Sequence, residues 1–173
     1  LIDYKNLDKF QINNDSINLI DIDLDIKKTH VFIKKCFDIA FKIINLNLTN
    51  KFINGPVNKS KFLNKKYLGI TEYISKKFKI KKNAMLIYNK DLSVCPITTH
   101  LPIKLVSKKI SQNLIKEKVM LINHFYQKNM GFKPKIGVAG LNPHCESILK
   151  LNEDIKIVSP AIKNLKKKGF KIF

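Results

Sequence analysis

Two histidines stand where a chain can do chemistry. Ile136-Gly137-Val138-Ala139 is a short apolar run that reads as a buried strand, and Gly140-Leu141-Asn142-Pro143-His144 follows it as a sharp turn. Gly140 lets the backbone bend and Pro143 pushes Asn142 out of helical geometry, so the turn delivers His144 at the carboxyl end of the strand. Open α/β sheets bind ligands at that end. Pro96-Ile97-Thr98-Thr99-His100-Leu101-Pro102 repeats the arrangement, with an apolar run ending in His100 and Pro102 closing it. Two imidazoles on strand ends suit a shared metal, an acid and a base, or neither role. Their wide separation in sequence does not choose among these.

Weaker candidates surround them. The turn Asn54-Gly55-Pro56-Val57-Asn58-Lys59 places amides and a lysine after a short strand at 51–53, a pattern shared by phosphate sites and ordinary turns. Thr71 opens a helix running to about Phe78, where its hydroxyl and the unpaired N–H groups suit an anion or plain capping. Asp21, Asp23 and Asp25 alternate with apolar residues from Ile20 to Ile26. They lack the glycine and closing glutamate of a calcium loop and read as the solvated face of a half-exposed strand. His30 reads as a surface residue and His124 as a structural one. Cys145, beside His144, reads as packing rather than a soft ligand. The sequence has no His-Glu-x-x-His, Cys-x-x-Cys, Gly-x-Gly-x-x-Gly or Walker pattern, which leaves a zinc ribbon, a Rossmann site and a P-loop unsupported.

The elements that must hold these residues follow from periodicity. A helix is predicted over 30–45, capped by Thr29, with Ile33, Phe37, Ala40, Phe41 and Ile44 on one face. Strands are predicted over 85–88 and 94–98, joined by a turn at 89–91. Ser111 caps a helix to about Lys128 with Ile115, Val119, Ile122 and Tyr126 on one face. Strand 135–139 follows, then a helix over 153–168 with Val158, Ala161, Ile162 and Leu165 inward, stopped by Gly169. Strands alternating with helices predict an α/β chain, a three-layer α/β/α sandwich without internal repeat or flexible linker.

Composition narrows the class. The formal charge is +20, yet all 33 basic residues are lysine. Arginine supplies the bidentate base and phosphate contacts of a specific nucleic-acid reader. Its absence, with the abundance of Lys, Asn, Ile and Phe, fits an AT-biased coding sequence and a solvated lysine surface, so a nucleic-acid partner is not expected. No apolar run approaches the roughly 18 residues of a membrane span, and there is no signal-peptide pattern. The three cysteines make no disulfide framework and fit a reducing cytoplasm. A first residue other than Met, and a last segment Phe170-Lys171-Ile172-Phe173 that opens like a strand, read as a fragment.

Asn54-Gly55-Pro56-Val57-Asn58-Lys59, Gly69-Ile70-Thr71-Glu72-Tyr73, Thr98-Thr99-His100-Leu101-Pro102 and Gly140-Leu141-Asn142-Pro143-His144 occur in this order. Together they resemble the 4-hydroxythreonine-4-phosphate dehydrogenase family, PdxA, of vitamin B6 synthesis, from about residue 29 to the end. The resemblance implies a fold like the isocitrate and isopropylmalate dehydrogenases, with residues 1–173 a partial catalytic domain. It implies a homodimer with a shared active site, NAD, and a divalent metal such as zinc, cobalt or magnesium. The metal ligands would be His100 and His144, with a third histidine in a later Tyr-His-Asp-Gln-Gly element that this chain does not reach. The substrate would be a small phosphorylated hydroxy amino acid, 4-phosphooxy-L-threonine, oxidised and decarboxylated toward pyridoxal 5'-phosphate. Thr71 matches a substrate-phosphate threonine. Lys59 and Asn58 are expected as catalytic donors and Asn142 as a cofactor contact.

Two departures bear on these expectations. Ile70 stands where the family has a histidine that binds substrate. Cys145-Glu146-Ser147-Ile148-Leu149 replaces the usual Ala-Gly-Glu-Gly-Gly after His144, and a loop without glycine approaches a ligand less freely. Both leave open a paralogue that oxidises another hydroxy acid, and the charge leaves open a lysine-rich nucleic-acid module. The fragment is expected to be catalytically incomplete alone.

Overall fold

The computed structural model describes residues 2–9, 11–23, 26–64, 66–141 and 152–173. The chain forms two compact units, Leu1–Tyr73 and Ile74–Phe173.

The first unit is organised by helix α1, Thr29–Asn45. Its helical spacing of aromatic and branched residues buries Phe37, Ile39 and Phe41. Thr29 is the first helical residue and not its cap; Lys28 holds that position with no side-chain capping bond. A 3₁₀ turn, Ile26–Lys28, runs straight into the helix, so the start is a tightened turn rather than a capped break. At the far end Asn47 adopts φ 58° and its N–H reaches the Ile44 carbonyl at 3.0 Å, the usual way an asparagine stops a helix. Helix α2, Lys59–Leu63, and helix α3, Ile70–Lys77, follow. The Phe37 ring lies 4.8 Å from Phe62, 5.3 Å from Phe52 and 5.7 Å from Tyr73, centroid to centroid, so α1, α2 and the start of α3 share one aromatic cluster.

The expected strand Ile20–Ile26 is reduced to a single pairing. Ile20 bridges Ile2, whose N–H donates to the Leu19 carbonyl at 2.8 Å. The predicted alternation is present, with Ile22 half-buried between exposed Asp21 and Asp23. No ladder extends beyond Ile20 because no second described strand runs beside it, and Asp25 lies outside the described residues.

In the second unit helix α4, Ile103–Lys109, precedes helix α5, Gln112–Met130. The sequence reading did not anticipate α4, which is too short to display a period. Ser111 caps α5 as expected, its Oγ accepting the Leu114 N–H at 3.2 Å, and Gly131 ends the helix at φ 76°. A π turn, Asp154–Val158, leads into helix α6, Ser159–Lys167. The core joins Ile110, Ile115 and Val119 to Val158, Ala161, Leu165 and Ile172. Ile115 and Leu165 are 1% and 2% exposed.

Strand pairing here is parallel. The Ile136 N–H donates to the Lys171 carbonyl at 2.8 Å, Phe173 N–H to Ile136 at 3.0 Å, and Val138 N–H to Phe173 at 2.9 Å. Residues 136–138, α6 and residues 171–173 therefore form a strand–helix–strand crossover, the unit from which α/β folds are built. Ile87 and Val94 pair antiparallel at 2.8 and 3.0 Å. The layered sandwich itself is not seen. Among the described residues each expected sheet segment makes at most one bridge, and segment 51–53 makes none. The reason lies at the edges: alternate residues of a strand address opposite neighbours. Ile136 and Val138 address residues 171–173, while exposed Gly137 and Ala139 face an edge with no described strand.

Candidate functional site

His100 ends the segment that follows the Ile87–Val94 pairing. It is exposed and its backbone has φ 57°, in the left-handed region that a residue with a Cβ enters only under constraint. The constraint is local. Pro102, at φ −56° and ψ 138°, stands immediately before α4 and accepts the Leu105 N–H at 2.8 Å. The residue before a proline is confined to extended geometry, so Leu101 cannot absorb the bend and His100 takes it. The result is an imidazole held on a turn rather than lying along a strand.

Asn58, Lys59 and Thr71 belong to the first unit. The Asn58 side-chain oxygen accepts the Lys61 N–H at 3.2 Å and the Ser60 hydroxyl at 2.7 Å, which makes it the N-cap of α2. Lys59 is the exposed first residue of that helix. Thr71 is the exposed second residue of α3 and does not cap it. Phe62 of α2 and Tyr73 of α3 meet at 5.2 Å, so one aromatic contact positions both helix starts.

His144, Asn142 and Cys145 lie outside the described residues. The residues on either side of 142–151 are described. Leu141 N–H donates to Asp154 Oδ1 at 2.9 Å, and Asn152 Oδ1 accepts the Ile155 N–H at 2.8 Å. Asp154 and Asn152 are both buried, and Asn152 Nδ2 has no hydrogen-bond partner among the described residues. Sequence reasoning missed both residues. The available signal was an Asn-Glu-Asp run opening a helix, which reads simply as a cap.

Among the described residues no group of three or more His, Cys, Asp and Glu could hold a metal ion. His100 supplies one described imidazole, a donor type suited to zinc or cobalt. A complete ligand set is not within the described residues, and the fit rests on donor chemistry.

An apolar groove of about 900 Å³ opens in the second unit beside residues 136–141. Ile97, Ile122, Tyr126, Ile136, Val138 and Phe173 are among its walls. Cys95 also lines it; burial pushes this thiol above its ordinary pKa, and the charge of Lys118 opposes that rise. The Lys118 ammonium donates to the Asn83 carbonyl. No helix among the described residues is long and apolar enough to cross a membrane.

The chain resembles known proteins. A 4-hydroxythreonine-4-phosphate dehydrogenase of Sulfurihydrogenibium sp. is 34% identical over 164 residues, covering 90% of this chain and 51% of that protein. A D-threonate 4-phosphate dehydrogenase of Pectobacterium atrosepticum is 29% identical over 143 residues, covering 80% of this chain and 44% of that one. The crystal structure of a 4-hydroxythreonine-4-phosphate dehydrogenase from Klebsiella pneumoniae superposes with a TM-score of 0.71 at 27% identity, over 83% of this chain and 45% of that chain. The chain thus spans about half the length of the curated relatives it matches, and its fold is of their α/β kind. The family described as pyridoxal phosphate biosynthetic protein PdxA matches residues 5–173, and the chain belongs to that family.

Proposed function

We propose that this chain is the part of a PdxA enzyme that carries two metal ligands and one side of the substrate site. The reaction is NAD-dependent, divalent-metal-dependent oxidation of 4-phosphooxy-L-threonine with decarboxylation, in pyridoxal 5'-phosphate synthesis. One observation carries the reading. The family match over residues 5–173 contains both histidine motifs, Thr98-Thr99-His100-Leu101-Pro102 and Gly140-Leu141-Asn142-Pro143-His144.

In this reading His100 and His144 would hold the metal, which would supply Lewis-acid activation of the substrate hydroxyl, and bound NAD would supply the hydride acceptor. His100 offers its ring from a constrained turn, which limits the reorganisation needed on binding. Thr71 donates its hydroxyl toward the substrate phosphate. Lys59 and Asn58 orient the polar substrate, Asn58 through the amide group its cap does not use, and Asn142 contacts the cofactor. Cytoplasmic location and a homodimer with a shared site belong to the same proposal; Cys36 and Cys95 are free thiols, as a reducing compartment requires.

The three-layer sandwich is also part of the proposal. The unpaired Gly137–Ala139 edge and the groove beside it support a further strand seated there, as in a sheet covered on both faces.

A second reading keeps the fold and changes the substrate. Ile70 offers no hydrogen bond where the resemblance has a histidine, and one matched relative bears the name of a D-threonate 4-phosphate enzyme. The test is NADH formation by the protein in its full natural length, with both phosphorylated substrates and with cobalt or zinc. Turnover of phosphothreonine alone supports the first reading and of D-threonate 4-phosphate alone the second. No turnover with either, together with no NAD binding, overturns both.

A further inference from the structure

Helix α2 has five residues and α3 has eight. Isolated helices shorter than about 12–15 residues are marginal in water, so neither is held in place by its own hydrogen bonds. Each is fixed by a ring one turn in from its start. Phe62 N–H donates to the Asn58 carbonyl at 2.9 Å, and Tyr73 N–H to the Gly69 carbonyl at 3.2 Å. The two rings then meet edge to face, centroids 5.2 Å apart and planes at 74°. Tyr73, only 6% exposed, is the buried residue of α3. These residues all belong to the first unit.

The two helix starts present polar groups. Asn58 and Lys59 open α2, Thr71 is the second residue of α3, and all three are exposed. Filling the core does not by itself call for a pair of rings. Phe37 of α1 packs on both, at 4.8 Å from Phe62 and 5.7 Å from Tyr73, and a bulky aliphatic residue would also exclude water. An edge-to-face contact adds what an aliphatic one lacks, a preferred mutual orientation. Each ring is rooted in the first turns of its own helix, so that orientation is passed on to the helix starts.

We propose that Phe62 and Tyr73 act as one positioning pair: their ring contact sets where Asn58 and Lys59 lie relative to Thr71, and so the spacing at which a small phosphorylated substrate is held. The substrate part of this inference rests on the roles proposed above for those three residues; the coupling of the two helix starts does not.

The test uses the protein in its full natural length, as wild type, Phe62→Leu, Tyr73→Leu, these two combined, Tyr73→Phe, Thr71→Val and Ile115→Ala. Two quantities are read well below each melting transition. One is amide hydrogen exchange at Lys61, whose N–H is held by the Asn58 side chain; the other is kcat/KM for 4-phosphooxy-L-threonine. Tyr73→Leu, a change in α3, should speed exchange at Lys61 in α2 about tenfold or more. It should also lower kcat/KM by up to about 100-fold, the scale of a roughly 1 Å misplacement. Phe62→Leu should do the same, and the combined variant should lose no more than either alone, because the contact is already gone. Tyr73→Phe keeps the ring and should restore both readouts. Ile115→Ala truncates the core of the second unit and should destabilise the protein with kcat/KM near wild type. Unchanged Lys61 exchange in Tyr73→Leu overturns the proposal. So do additive losses in the combined variant, or a loss in Tyr73→Phe equal to that in Tyr73→Leu. A fall of kcat/KM in Ile115→Ala as large as in Tyr73→Leu overturns the substrate part. If the wild type does not turn over, or Thr71→Val leaves kcat/KM unchanged, the proposed roles of the site residues fall, and the exchange arm still decides whether the ring pair couples the helix starts.

Discussion

The hydroxyl of Tyr126 donates to Ser93 Oγ at 2.8 Å, joining α5 to the turn before the segment that ends at His100. Ser93 Oγ donates in turn to the Asn89 carbonyl at 3.0 Å and accepts the Asn89 N–H at 3.2 Å. A helix anchored in the core through Ile115 and Val119 thereby sets the start of a segment whose far end bears a proposed ligand. Tyr126→Phe keeps the ring contacts with Phe125 and Phe132 and removes the tie. The expected loss is about 1 kcal/mol, the usual net worth of such a bond, read as a lower urea midpoint at unchanged slope.

Core truncation should cost more. Ile115 is 1% exposed among Val119, Ala161 and Leu165, so Ile115→Ala should lose about 2–5 kcal/mol. Ile122, which lines the open groove and is half-buried, should lose less than that range on the same change. Equal losses would mean the groove is filled in solution.

Asn58 has a capping duty and a proposed substrate duty, which substitution can separate. Asn58→Ala should lose about 1 kcal/mol with the α2 cap. Asn58→Ser keeps a capping oxygen and removes the amide. If the amide also orients substrate, kcat/KM should fall in Asn58→Ser while the melting temperature holds. Unchanged kcat/KM would leave Asn58 a cap alone.

At His100 the proposed metal role and backbone comfort oppose each other. His100→Gly and His100→Ala both remove the imidazole and should abolish high-affinity zinc binding in the protein of full natural length. Their stabilities should differ. Glycine accepts φ 57° without strain, so His100→Gly should be the more stable of the two by about 1 kcal/mol. Equal melting temperatures would show that the turn relaxes once the ring is gone.

Cys95 should alkylate slowly. Burial raises its thiol pKa, and Lys118 only partly offsets this. With Cys36 and Cys145 changed to serine, the iodoacetamide rate should rise with pH at a higher inflection than for free cysteine. The linkage follows the same sign. The thiol's contribution to stability is complete below its unfolded pKa, about 8.5, and is lost as pH rises through the raised folded value.

Much of the local structure was legible in the residues. The periods of Phe37 and Phe41 in α1, of Ile115 and Val119 in α5, and of Val158, Ala161 and Leu165 after residue 153 each marked a helix. Ser111 marked the start of α5 by chemistry that acts within a few residues, and the predicted end near Lys128 falls two residues short of Met130. The motifs around His100 and His144 likewise pointed to one family from residue types and order. Thr29 failed as a cap because a 3₁₀ turn already filled its place, and α4 went unseen because a helix of 7 residues is too short to show a period.

What sequence alone determined here is therefore the short-range part: where the longer helices lie and which family the chain belongs to. Only the tertiary structure decided the rest. It set the pairing of Ile136 with Ile172 on one edge of the strand and the bond from Leu141 to Asp154. Each depends on residues brought together by packing. A one-dimensional pattern reports the period of a face, and it carries no record of which distant group a backbone N–H will meet.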